Sequence, residues 1–119
     1  MKQTNQNQIV RTNEIEWQPL NEEGVTGVYV KPLLFDDKTN RAPTIVLKFD
    51  AGAKYPLHNH PAGEEVFVLE GDIHFGKDHL FSGDYLFTPP NNLHTVRTEN
   101  GCVLLLKAPE EVEIIKPRN

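Results

Sequence analysis

Three histidines and a pair of glutamates supply the residue types that could bind a metal ion. His58 and His60 are separated by one residue, and Glu64 and Glu65 follow after three more. Side chains alternate faces along an extended strand, so the two histidines point the same way. Glu64 has the same parity as both, although the intervening Pro-Ala-Gly bends the chain. The third histidine, His94, opens a strand-like segment behind a rigid turn.

Three imidazoles and one carboxylate form a competent site for a borderline divalent ion such as zinc, iron, manganese, nickel or cobalt. A carboxylate offsets part of the ion's charge where the dielectric constant is low, and the same groups would be costly to bury without an ion. The residues alone leave Glu64 and Glu65 as alternative carboxylate ligands. A sheet rich in hairpins would bring His94 back beside the His58-His60 pair.

Short apolar segments between turn signals predict the elements that must position these residues. The chain has nine prolines and eight glycines, and no segment sustains the spacing of an amphipathic helix. Strand-like segments bounded by turn residues predict an antiparallel sandwich or barrel. Asn100-Gly101 predicts a type I′ hairpin turn. The predicted strands are 27–35, 44–50, 57–60, 64–70, 73–75, 84–89, 93–98, 102–108 and 111–115.

Composition predicts one domain over residues 1–119, with residues 1–8 a flexible or strand-exchanging arm. The net charge of -5 and the scattered basic residues argue against nucleic-acid or membrane partners. The N-terminus lacks the apolar core of a secretory signal, and one cysteine cannot form an internal disulfide, so we expect a cytoplasmic protein. Acidic pairs such as Glu22-Glu23 adjoin turn signals and are expected to be solvated.

Two spaced motifs resemble those of the cupin superfamily. The first runs Gly52, five residues, His58-Asn59-His60, three residues, Glu64, six residues, Gly71. The second runs Gly83, five residues, Pro89, then Asn91 where glycine is usual, two residues, His94, and Thr98 where asparagine is usual. Asparagine tolerates the left-handed backbone conformation, so Asn91 is a mild departure. Thr98 lies outside the expected metal shell.

The resemblance implies an all-β, single-domain cupin, a double-stranded β-helix or jelly-roll barrel. It implies one divalent metal ion per chain, zinc or iron first and manganese or nickel as alternatives. The implied ligands are His58, His60, Glu64 and His94. Glu65 competes with Glu64 because some cupins have four intervening residues, but the six-residue gap to Gly71 favours Glu64. The expected barrel wall includes Val66, Val68, Phe87, Leu104 and Leu106.

Within the superfamily, the chain resembles the cupin domain of ChrR-type anti-sigma factors and their stand-alone relatives, some of which resemble acetylacetone-cleaving dioxygenases. Nothing before residue 14 could form the helical domain that grips a sigma factor, so the anti-sigma role is not carried over. Three functions stay open. They are a dioxygenase-type enzyme acting on a small oxygenated substrate in the barrel, a zinc-binding sensor or regulatory module, and a structural metal site. Cupins of this length commonly form homodimers.

Four other residues have two interpretations each, and a fifth, His79, has one. His74 could carry protons at the barrel mouth or lie on the surface, and His79 is expected to be solvated in a turn. Cys102 could be a redox-sensing thiol or a small core residue. Tyr55 and Tyr85 flank the ligand strands and could contact a substrate or only pack.

Overall fold

The computed structural model describes residues 5–115, which form a β protein without an α-helix in that range. A 3-10 turn at Thr12–Glu14 precedes ten strands. These are β1 Gln18–Pro19, β2 Val28–Asp36, β3 Arg41–Phe49, β4 Lys54–Asn59, β5 Glu64–Phe75, β6 Asp78–Phe81, β7 Tyr85–Thr88, β8 Leu93–Arg97, β9 Cys102–Lys107 and β10 Glu113–Ile114. In this part of the chain, no helix has the length and apolar content that crossing a membrane requires. Half of the expected N-terminal arm, residues 1–4, lies outside the described residues.

Two antiparallel sheets share the long strand β5. In the first sheet the order is β1-β2-β3-β9-β5, and β7 pairs with the other side of β5. In the second sheet the end of β5 pairs with β6 and β8, and the order continues β8-β4-β10. The predicted all-β barrel of two antiparallel sheets is confirmed. The sequence predicts a turn that includes His79, but the structure has strand β6 over Asp78–Phe81, so His79 lies in a paired strand.

A glycine kink lets β5 pass from one sheet to the other. The sequence predicts two strands separated by a turn at Gly71-Asp72, but the structure has one twelve-residue strand. Gly71 has a φ of 76°, and a Cβ there would overlap the carbonyl oxygen of Gly101. Pairing continues on both sides of the kink, because Gly71 lies opposite Cys102 and Asp72 lies opposite Phe81. The turn signal therefore marks a bend within a paired strand.

The predicted hairpin at Asn100-Gly101 is wrong. The strands before and after it, β8 and β9, do not pair with each other: β8 pairs with β4 and the end of β5, and β9 pairs with β3 and the earlier part of β5. Only Gly101 has a positive φ, 92°, whereas a type I′ turn needs two such residues. The Thr98 hydroxyl donates to the Asp72 carbonyl at 2.7 Å and accepts from the Gly101 N–H at 2.9 Å. This turn therefore carries the chain between sheets.

The core lies between the two sheets and follows the alternation along β5 and β9. Val66, Val68 and Leu104 are almost completely buried, and Leu106 is buried beside them. Phe87, also predicted to face the barrel, is instead 54% exposed. Phe87 pairs with Glu65, and directly paired residues of antiparallel strands share a face, so both point outward. Its neighbour on β7, Leu86, packs against the core instead.

Candidate metal centre

Strand pairing brings the three expected histidines together. His58 lies on β4 and His60 follows its last residue, while His94 lies on β8 directly opposite His58. One ring nitrogen from each histidine lies within 4.8 Å of the others. The ring centroids are 4.3 to 4.8 Å apart. The predicted return of His94 to the His58-His60 pair is confirmed.

The turn before β8 holds the centre through its backbone. Asn91 has a φ of 64°, the left-handed conformation expected where glycine is usual. Its N–H donates to the His60 carbonyl at 2.8 Å. The next carbonyl, that of Asn92, accepts a hydrogen bond from His60 Nδ1 at 2.9 Å. The turn therefore sets both the backbone and the ring of His60.

Hydrogen bonds to carbonyls set which nitrogen of each ring is free. His58 Nδ1 donates to the Pro56 carbonyl at 2.7 Å, as His60 Nδ1 does to Asn92. A carbonyl oxygen only accepts, so each ring carries its proton on Nδ1 and keeps Nε2 as a lone-pair donor. Histidines that bind metals are commonly oriented by this kind of second bond.

The donor atoms at the centre are buried without partners in the described part of the chain. They are His60 Nε2, His94 Nε2 and Glu64 Oε1. A buried polar atom left unpaired costs roughly 1–3 kcal/mol, and three in one place call for an explanation. A metal ion would satisfy all three atoms, so these residues fit one.

Burial shifts the pKa values of all four groups toward their neutral forms. It lowers the pKa of His58 to about 4 and that of His94 to about 3, with neighbouring histidines adding to both shifts. The pKa of His60 is lowered by the same cause. Burial raises the pKa of Glu64 to about 8. At neutral pH the imidazoles are therefore unprotonated, which is the state that binds a metal.

The two adjacent glutamates lie on opposite faces of β5. Glu64 is buried, and its carboxylate lies 3.5 Å from His60 Nε2. It is not part of the tighter three-histidine group. Glu65 is exposed and accepts a hydrogen bond from the Tyr85 hydroxyl at 2.7 Å. Of the two alternatives, only Glu64 faces the histidines.

A cavity of about 310 Å³ opens beside the centre. His58 and Glu64 form part of its wall. Much of the rest is apolar and includes Ile45, Leu47, Phe49, Phe75, Leu104 and Leu106. The Arg41 guanidinium, also in the wall, donates to the Ala108 and Pro109 carbonyls at 2.8 and 3.2 Å. The cavity is large enough for a small organic molecule.

The ChrR cupin-like domain family matches residues 5–110 of this chain. The chain belongs to this family. Two solved structures share the fold of this cupin. One, a proposed acetylacetone dioxygenase from Methylibium petroleiphilum PM1, has a TM-score of 0.84 at 18% identity over 98% of this chain and 86% of that chain. The other, an acetylacetone dioxygenase from Acinetobacter johnsonii, has a TM-score of 0.82 at 16% identity over 98% and 83%.

A curated relative matches a shorter part of the cupin. Dimethylsulfoniopropionate lyase DddQ of Ruegeria pomeroyi is 38% identical over 58 residues. The match covers 44% of this chain and 29% of the lyase, so it spans less than a third of the lyase's length.

A tyrosine and a glutamate that the motifs do not include also line the cavity of this cupin. Tyr55 packs edge-on against His58 with ring centroids 4.7 Å apart, and its hydroxyl donates to the Glu22 carboxylate. Both Tyr55 and Glu22 line the cavity. Glu22 is half-buried, so its expected place in a solvated turn is wrong. A contact spanning 33 residues leaves no local signal in the sequence.

The remaining candidates lie away from the cavity. The Tyr85 hydroxyl bonds Glu65 on the outer surface. Cys102 is buried in the core, and burial raises the pKa of its thiol to about 12, which opposes thiolate chemistry. His74 is half-buried on the outer face of β5, as predicted from the position of Ile73 and Phe75 on the inner face.

Proposed function

We propose that this cupin is a metal-dependent enzyme of the dioxygenase type that acts on a small oxygenated substrate. The observation that carries the proposal is the convergence of ring nitrogens from three histidines beside a cavity lined mainly by apolar residues. The fold shared with acetylacetone dioxygenases supports the reaction class. A site of this kind has both a metal-binding wall and room for a substrate.

The proposed ligands are His58, His60, Glu64 and His94, which would hold one divalent ion per chain. Iron and zinc are the first candidates and manganese and nickel the next, because imidazole and carboxylate suit all four. When bound, a redox-active ion would supply O2 chemistry and Lewis acidity that side chains lack. The carbonyls of Pro56 and Asn92 would keep two of the rings aligned.

The chain's own contribution would be binding, orientation and exclusion of water. The apolar wall would exclude water and hold the hydrocarbon part of the substrate. Tyr55 and Glu22 form a hydrogen-bonded pair in the same wall, where they could orient a polar substrate atom. The acidic residues Glu22 and Glu111 line the cavity, and Arg41 is engaged with carbonyls, so an uncharged substrate fits best.

Elemental analysis followed by an oxygen assay tests this proposal. We expect near one metal ion per chain and, after anaerobic loading with Fe(II), oxygen consumption that depends on a small β-diketone such as acetylacetone. The Glu65→Gln variant serves as a control that should behave like the wild type, since the Glu65 side chain faces outward. A fully loaded protein that consumes no oxygen with a panel of small diketones and keto acids would reject the dioxygenase proposal.

A zinc-binding sensor or regulatory module is the second candidate. The chain belongs to the ChrR cupin-like domain family, and this membership favours a sensor or regulatory module. Four protein donors would complete a tetrahedral zinc site and leave no position for substrate. Water exchange at the bound ion separates the candidates, because an enzyme needs an open coordination position. An ion that only stabilises the barrel would also lack exchangeable water, and would differ from a sensor in producing no metal-dependent partner binding.

We also propose that the protein forms a homodimer in the cytoplasm. An outward-facing apolar group on neighbouring strands supports the dimer: Phe67, Tyr85, Phe87 and Leu105. β7 is an edge strand among the described residues, and such edges favour pairing. Light scattering should give twice the chain mass, and Phe87→Lys should reduce it to one chain.

A further inference from the structure

Three side chains of the types that can bind a metal ion meet on the outer surface of the barrel, away from the centre described above. Asp72 and His74 lie on β5 and His79 lies on β6. One ligand atom from each lies within 4.8 Å of the others. Their neighbours Ile73 and Phe75 point into the core, so the three side chains share the outer face of this hairpin.

The hairpin geometry sets this outer cluster. The β5–β6 turn places His74 directly opposite His79, and Asp72 is two residues earlier on the same face. The two imidazole rings stack with centroids 3.8 Å apart and an angle of 18° between their planes. The Asp72 carboxylate lies 2.6 Å from His79 Nε2. Paired strands hold the cluster, so little backbone movement would be needed to bind an ion.

We propose that Asp72, His74 and His79 bind a second divalent ion, of the borderline class that includes zinc, nickel and copper. Two imidazoles and one carboxylate are a donor set of this class, and three protein ligands leave positions for water or a small ligand. This site is independent of the proposed function, because none of its side chains lines the cavity.

The charges around the cluster are compatible with a cation. The hydrogen bond from His79 lowers the pKa of Asp72, which keeps its carboxylate ionised. Arg97 lies opposite His74 on β8, but its guanidinium also contacts Glu99 at 3.4 Å, which offsets its positive charge.

Counting the zinc ions that bind to the intact protein tests the second site. We expect equilibrium dialysis to reach two zinc ions per wild-type chain, one more than His79→Ala binds under the same conditions. Loss of one of three ligands should weaken the outer site by more than about 10-fold, since even residues that only support a ligand contribute 10–100-fold. Asp78→Asn is the matched control: it removes a neighbouring carboxylate outside the cluster and should keep the second ion.

Imidazole NMR of the wild-type protein gives a second measurement that needs no variant. The ring signals of His74 and His79 should shift together once zinc is added beyond the amount that the barrel centre binds. The proposal is overturned if these two signals do not move, or if His79→Ala binds as much zinc as the wild type. If the barrel centre binds no zinc, the counts become one for the wild type and none for His79→Ala, and the outer site is still supported.

Discussion

Two clusters in this cupin use similar donor atoms in different surroundings. The inner cluster, His58, His60 and His94, lies beside the cavity, and the outer cluster, Asp72, His74 and His79, lies on the surface. The outer groups satisfy each other, because His79 bonds Asp72 and stacks on His74. Nε2 of His60 and Nε2 of His94 have no hydrogen-bond partner among residues 5–115.

Without an ion, the inner cluster would therefore destabilise the folded protein, because its polar atoms are buried. The outer cluster would not, because its groups bond one another near the surface. The buried donors lie out of contact with solvent and have no hydrogen-bond partner among the described residues, whereas His79 and Asp72 bond each other at the surface. We expect tight, stability-linked binding at the inner cluster and weaker binding, with little effect on stability, at the outer one. The following predictions test that contrast, from the largest effect to the smallest.

Replacing one inner histidine should have the largest effect. His60→Ala should lose the barrel metal and the stabilisation linked to it, which is about 4 kcal/mol when free metal is 1,000 times the dissociation constant. Metal analysis and thermal unfolding with and without chelator measure both losses. The outer variant His79→Ala should keep the barrel metal and its chelator-sensitive melting. Unchanged metal content in His60→Ala would remove the case for the inner centre.

Acid should destabilise the metal-free protein through the inner cluster. Its imidazoles have lowered pKa values when folded, so the unfolded chain binds more protons below the ordinary histidine pKa of about 6.5. Stability is present above that pH and is lost as the pH falls toward 4. For His58 alone the slope reaches about 1.4 kcal/mol per pH unit.

Urea unfolding of the metal-free protein at pH 7 and pH 5 measures this loss. Glu64 acts in the opposite direction. Because its pKa is raised in the folded protein, stability is lost as the pH rises from the ordinary pKa of a glutamate toward 8. Three imidazoles outweigh one carboxylate below the ordinary histidine pKa of about 6.5, so we expect the stability maximum close to that pH. His79→Ala should show the same pH profile, and equal stability at pH 5 and pH 7 in the wild type would contradict the burial argument.

The adjacent glutamates offer a matched pair on the two faces of one strand. Glu64→Gln should weaken metal binding by more than about 10-fold, because it removes the carboxylate proposed to bind the ion beside His60. Glu65→Gln should leave it near the wild-type value. Competition with a fluorescent chelator measures both affinities. The reverse order would show that the wrong carboxylate had been assigned.

Removing a single hydroxyl should have the smallest effect. Tyr55→Phe breaks the bond to Glu22 in the cavity wall and should cost about 1 kcal/mol without changing metal content. Tyr85→Phe removes an exposed bond to Glu65 and should cost close to nothing. Chemical denaturation compares the two. If Tyr55 orients substrate, its variant should also raise KM, which Tyr85→Phe should not.

Much of the inner centre could be predicted because its signals are local. The spacing of His58 and His60 places them on one face, and Asn91 adopts the left-handed turn that the motif requires. The alternation of β5 buries Glu64 and exposes Glu65. Each of these depends on a few neighbouring residues, so the sequence pattern is enough.

The wrong predictions share a different cause. Asn100-Gly101 has the residues of a hairpin turn, but β8 and β9 belong to different sheets. The sequence pattern predicts that Phe87 faces the barrel interior, but Phe87 pairs with Glu65 and therefore faces outward. In each case the local pattern is satisfied by two arrangements, and the partner strand selects one.

The sequence by itself determined an all-β chain with turn glycines, a pair of histidines on one face and a third histidine behind a rigid turn. Only the tertiary structure decided that His94 faces His58, that Glu22 meets Tyr55 in the cavity wall, and that Asp72, His74 and His79 form an outer cluster. The physical reason is range: conformational preference acts over a few bonds, whereas register and sheet packing join side chains far apart in the chain.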